Sequence, residues 1–101
     1  MTRKLPPIHP GEILREEFLI PLGISAMKLA EICGVPRTRI ERVASEDIGI
    51  TADTAIRLGK ALNTTPQLWM NLQNEYDIRT ARNAAGKDID KIKTIEQIRA
   101  A

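Results

Sequence analysis

The chain contains one cysteine and one histidine, and each scarcity closes off a class of chemistry. A lone Cys33 excludes an internal disulfide framework. It stands among apolar neighbours, so a buried thiol is the expectation rather than a nucleophile. A single His9 with neither a cysteine nor a second histidine nearby is a poor metal site, and a role at a helix entry is expected of it. Aromatic residues are limited to Phe18, Trp69 and Tyr76, so any core must be aliphatic. No apolar run approaches the ~20 residues of a membrane span. Met1 to Pro7 carries the basic pair Arg3-Lys4 with no apolar stretch behind it, so no secretory signal is expected and a cytoplasmic protein is the consistent reading. There is no paired-glycine phosphate loop, no H-E-x-x-H, no cysteine pair and no G-x-S-x-G. Glu16 and Glu17 are adjacent and would point to different faces of a helix. No enzyme, cofactor or metal is therefore expected.

Strand signals are missing too, since no segment alternates with period two for long enough. What is present is helical punctuation, and it is densest between Ser25 and Ser45. Leu29, Ala30 and Cys33 share one helical face, and Ile40 and Val43 share a face of the next segment. Gly34 stands between them and allows the left-handed backbone that ends a helix. Two short helices joined this way form a helix-turn-helix, whose second helix turns its polar side chains outward. Those side chains are Arg37, Thr38, Arg39, Glu41 and Arg42. Any pair of packed helices needs an apolar face and a turn, so spacing alone does not decide the matter.

Charge has to be read locally. The net charge is +2, and residues 1–80 hold ten basic and ten acidic groups. Yet Lys28, Arg37, Arg39 and Arg42 gather around the turn against only Glu31 and Glu41. Local sign decides whether a face can approach phosphates. A solvated helix face would carry the same residues.

Taken in order, residues 1–8 form a Pro-containing arm without periodicity. Pro10 suits a first helical position, with Ile13, Leu14 and Phe18 as the apolar stripe and Pro21-Leu22-Gly23 as the stop. Ser25 can cap the second helix, which ends at Gly34, and the third runs from about Pro36 to Ala44. Thr51 caps a fourth, ended by Asn63. Thr65-Pro66 opens a fifth, with Leu68, Trp69, Leu72 and Tyr76 near one face. Trp69, Leu72 and Tyr76 are expected in the core or a dimer seam. The expectation is an all-α, five-helix domain over residues 1–80. Residues 81–101 have five basic and three acidic groups and isoleucines three apart at 89, 92, 95 and 98. They read as a C-terminal tail, or as a helix that orders only against a partner.

The residues His9-Pro10-Gly11-Glu12-Ile13-Leu14, Leu29-Ala30-Glu31, Gly34-Val35, Gly49 to Ala55 and Leu68 to Gln73 together resemble the HigA/VapI-type antitoxins, a branch of the Xre (Cro/cI-like) helix-turn-helix regulators. The last two stretches are the specific ones. The resemblance implies a compact Cro/cI-like domain that dimerises on a palindromic operator, with recognition helices ~34 Å apart. It also implies a partner, a small RelE-like mRNA-cutting toxin, and repression of the operon encoding both. On this reading Arg37, Thr38 and Arg42 reach base edges, with Glu41 either accepting from cytosine or holding an arginine. Ser25, Lys28 and Arg39 meet phosphates. Three departures stand out. Pro36 replaces the usual Ser or Thr cap, Ala26 stands where related repressors often have Gln, and Ser45-Glu46-Asp47 replaces a common Asn-Gly with basic residues. Two carboxylates near DNA would weaken binding. A stand-alone transcriptional regulator and a protein-interaction module without DNA binding are the rival functions.

Overall fold

The computed structural model describes residues 6–100. The expected arm lies outside the described residues as far as Leu5, and residues 6–8 are non-helical. The described residues are all helix and connecting turns, without a strand.

The first helix, α1, is assembled from Pro10–Ile13, a π-type segment Leu14–Leu19 and a last turn Ile20–Leu22. His9 caps it: its Nδ1 accepts from the Gly11 N–H at 2.9 Å, and Pro10 fills the first position where no donor is needed. The π-type segment is not visible in the sequence pattern. Its widening falls immediately before Pro21, whose ring would clash with the carbonyl four residues back in a straight α-helix. Pro21 therefore sits inside the last turn, and Gly23, with φ of 66°, is what ends α1.

Helix α2 (Ala26–Cys33) starts at Ser25, whose Oγ accepts from the Lys28 N–H, and ends at Gly34 with φ of 69°. Helix α3 (Arg37–Ala44) follows after Pro36, which contributes no side-chain cap. Helix α4 (Ala52–Leu62) is capped by Thr51 and closed by Asn63 in the left-handed region. Helix α5 (Pro66–Asp90) is capped by Thr65. The first part of the expected C-terminal tail, residues 81–90, is helical and continuous with α5, with one distorted residue at Ala85 (φ −124°, ψ 18°). Gly86 costs helix propensity, but neither it nor its neighbours supply a proline to stop the ladder. A short α6 (Ile95–Ala100) follows, and residues 91–100 are exposed throughout.

The core is aliphatic around one tryptophan. Leu14 and Leu19 of α1, Leu29 and Ala30 of α2, Ile40 and Val43 of α3, and Ala55 and Leu58 of α4 close over Trp69 of α5. Trp69 is fully buried, donates Nε1–H to Thr64 Oγ1 at 2.8 Å and lies 5.3 Å from the Phe18 ring. Truncating such a residue costs about 3–5 kcal/mol, so it anchors α5 in the core. Leu72 is half-buried against the same cluster, and Tyr76 meets the His9 ring edge-on at 4.8 Å.

Two backbone approaches set the layout. A Cβ on Gly11 would stand 1.8 Å from the Val43 carbonyl oxygen, so only glycine lets α1 meet the end of α3. Farther along, the Ile50 N–H donates to Gln73 Oε1 at 2.6 Å, which ties the loop before α4 to α5.

Identical Gly-to-Ala changes should therefore act with opposite sign. Gly11→Ala is expected to destabilise by about 2–3 kcal/mol, because the Val43 backbone must move. Gly86→Ala, with open space around it, is expected to stabilise by up to about 1 kcal/mol. Urea unfolding of both variants measures the two effects, and a neutral Gly11→Ala would contradict the close approach.

Candidate nucleic-acid interface

Helix α3 is held on its apolar side by Ile40, Val43 and Ala44, all buried. That fixes the opposite face: Arg37, Thr38, Glu41 and Arg42 are exposed, and Arg39 is half-buried at the edge facing α4. The helix end is closed with unusual completeness. The Arg42 carbonyl accepts from the Asp47 N–H at 2.8 Å, the Val43 carbonyl from Glu46 at 2.9 Å, and the Ala44 carbonyl from Arg15 Nη1 at 2.5 Å. With the Glu41 carbonyl accepting from the Ser45 N–H at 2.9 Å, all four of the last orphan carbonyls are satisfied by groups beyond the helix. A rigid exposed helix is what base reading requires.

The side chains on that face are mostly paired with one another. Arg37 Nε lies 3.1 Å from Glu41 Oε1, one turn apart, an arrangement that matches the arginine-holding one of the two roles expected for Glu41. Arg37 Nη1 also approaches Met27 Sδ of α2 at 3.9 Å. Among the described residues Arg42 has no ion-pair partner and Thr38 no side-chain hydrogen bond. Around the start of α2, Ser25 spends an oxygen lone pair on its cap and keeps its O–H free to donate. Lys28 is paired loosely with Glu31 at 3.8 Å. The Arg37–Met27 contact brings this first turn of α2 alongside the start of α3.

Arg39 departs from a simple phosphate-contact picture. Its Nη1 donates to Asp53 Oδ2 at 2.6 Å, and Arg57 Nε donates to the same oxygen at 2.9 Å. Arg57 Nη1 in turn donates to the Cys33 carbonyl at 2.7 Å. Arg39 first, then Arg57, holds the Asp53 carboxyl below the usual carboxylate range. Neither Asp53 nor Arg57 was singled out as part of the site in the sequence. The (i, i+4) spacing of the two was visible, but the link to α3 needs the folded chain.

The acidic loop also differs from expectation. Glu46 sits in the left-handed region with φ of 67°, where the resembled family commonly places glycine, and its Oε2 pairs with Arg15 Nη2 at 3.2 Å. Asp47 accepts from Ser45 Oγ at 3.0 Å. Glu46 is thus an ion-pair partner rather than a bare charge. Burial pushes the Cys33 thiol up, which fits an inert side chain. No group of three or more potential metal ligands occurs among the described residues, and no described helix is long and apolar enough to cross a membrane.

No protein-family model matches the chain. Relatives and solved structures do match. Virulence-associated protein I of Dichelobacter nodosus is 49% identical over 78 residues, covering 77% of this chain and 72% of the relative. Antitoxin HigA-1 of Vibrio cholerae is 36% identical over 89 residues, covering 88% and 84%. The Pseudomonas aeruginosa antitoxin HigA, solved with the higBA promoter, superposes with a TM-score of 0.84 at 48% identity, covering 88% of this chain and 98% of that one.

The left-handed glutamate generates a test. Glu46→Gly should raise stability by about 1 kcal/mol, because glycine takes positive φ without the Cβ clash while Arg15 keeps its bond to the Ala44 carbonyl. Thermal melting of the variant reads this, and a lowered melting point would mean that the Arg15 pair outweighs the backbone strain.

Proposed function

The chain belongs to the HigA/VapI-type antitoxins of the Cro/cI-like helix-turn-helix regulators, and from that membership we propose that it is the antitoxin of a type II toxin–antitoxin pair. It acts in the cytoplasm, represses its own operon as a homodimer and neutralises a RelE-like mRNA-cutting toxin. The relatives that carry a functional name are antitoxins and regulators rather than enzymes.

One observation carries the DNA-binding part. Helix α3 is clamped along one side and at its end, and it presents Arg37, Thr38 and Arg42 on the other. Arg42 is the freest of these and suits guanine. Arg37 enters after exchanging Glu41 for a base edge, and Thr38 can meet either a base or a thymine methyl. The Ser25 hydroxyl and Lys28 set position on the phosphates. The unit for this work is residues 1–80. Residues 81–101, with exposed Ile89, Ile92, Ile95 and Ile98, are the segment left available to a protein partner.

A second reading, binding the toxin without DNA, draws support from the same face. Arg37 and Arg39 both already have carboxylate partners. Salt-dependent binding to duplex DNA distinguishes the two readings.

Arg37→Ala and Arg42→Ala are each expected to weaken binding to the operon's upstream duplex by about 1–3 kcal/mol, with thermal melting unchanged. Fluorescence anisotropy titration measures this. Titrations that overlay the parent would remove α3 from the interface. Co-expression with the product of the neighbouring frame tests the toxin half: co-elution and restored growth are expected, and separate elution with continued growth arrest contradicts it.

A further inference from the structure

Resting on the DNA-binding reading above, we infer that Asp53 limits the sequence-independent affinity of this interface by holding Arg39 off the phosphate backbone. One oxygen holds two arginines. Asp53 Oδ2 accepts from Arg39 Nη1 at 2.6 Å and from Arg57 Nε at 2.9 Å. Arg57 is itself pinned by its Nη1 bond to the Cys33 carbonyl at 2.7 Å. Asp53 lies in the first turn of α4, where the positive helix end favours a carboxylate. The hub therefore joins the end of α2, the edge of α3 and the start of α4 through a carboxylate held from two sides.

Its electrostatic effect is direct. Two guanidinium charges and one carboxylate leave a net charge of about one on this edge. A phosphate that takes Arg39 must first displace Asp53, and must then stand close to the carboxylate it displaced. Phosphates are the same in every sequence, so a cation withheld from them lowers operator and non-operator binding alike without removing any base contact. Arg37 and Arg42, on the outer face of α3, remain for the bases. The side chains of Arg39 and Asp53 are 37% and 55% exposed. An ion pair so open to solvent contributes little to folding. Asp53→Asn should therefore fold, with the Arg57 bond to Cys33 still in place.

The test is the salt dependence of binding to a labelled random-sequence duplex and to the operon's upstream duplex. Circular dichroism melting serves as the folding control. Asp53→Asn is expected to bind the random duplex several-fold more tightly. Its plot of log affinity against log salt should steepen by ~0.9, the value of one added phosphate contact. The upstream duplex should gain no more than the random one, so the ratio between them does not rise. Arg39→Ala alone should leave the slope unchanged, and added to Asp53→Asn it should erase the gain. The inference is overturned if Asp53→Asn binds more weakly, or if its slope is unchanged or shallower. Should that variant fail to fold, Arg39→Ala decides: a slope shallower by about one would place Arg39 on a phosphate in the parent. A parent chain that binds neither duplex overturns the DNA-binding reading and this inference together, whereas a binding parent with the opposite sign in the variants overturns this inference alone.

Discussion

The contact between Gly11 and the Val43 carbonyl is the constraint on which the arrangement depends. Helix α3 is only eight residues long, too short to be stable in water by itself. It persists because its apolar side is buried and its last carbonyls are occupied. Gly11 permits the backbone approach that brings α1 against that end. Arg15, four residues and about one turn further along α1, then reaches the Ala44 carbonyl. His9 caps α1 at its start, so the run His9-Pro10-Gly11 works as one device. It orients α1, and α1 closes α3.

A second brace runs through the other half of the fold. Gly49 and Ile50 lie against Gln73, whose Oε1 accepts from the Ile50 N–H. The two stretches with the more specific family resemblance, Gly49 to Ala55 and Leu68 to Gln73, thus touch each other in space. With Trp69 filling the centre, α4 and α5 pack on each other, α2 sits on α4, and α3 packs against α2 and the start of α1. The exposed face of α3 is then a consequence of packing, and its charge balance becomes a separate matter. Within that balance only Arg42 lacks an intramolecular carboxylate among the described residues. Both Arg37 and Arg39 must exchange a partner before meeting DNA.

Features written in local chemistry were legible in the sequence. Ser25, Thr51 and Thr65-Pro66 cap where their side chains and ring geometry dictate, and Gly34 and Asn63 take positive φ at helix ends. The apolar faces of α2 and α3 follow from helical period alone, and so do the exposed positions of Arg37, Thr38 and Arg42. Features that depend on distant partners were not legible. Nothing near Gly11 announces Val43, nothing near Arg15 announces Ala44, and nothing near Arg39 announces Asp53. The π-type segment of α1 and the run of α5 through Gly86 escaped for a different reason. Proline and glycine are usually read as stops, and here the backbone bends or widens rather than breaking.

The DNA-binding role rests on α3 being the surface that meets the duplex. The most direct measurement is an NMR titration of the isotope-labelled chain with the operon's upstream duplex, followed at backbone amides and arginine side chains. The largest shifts are expected at Arg37, Thr38 and Arg42, with smaller ones at Ser25 and Lys28 and little change beyond residue 85. Shifts confined to residues 85–100, with α3 unmoved, would contradict that role.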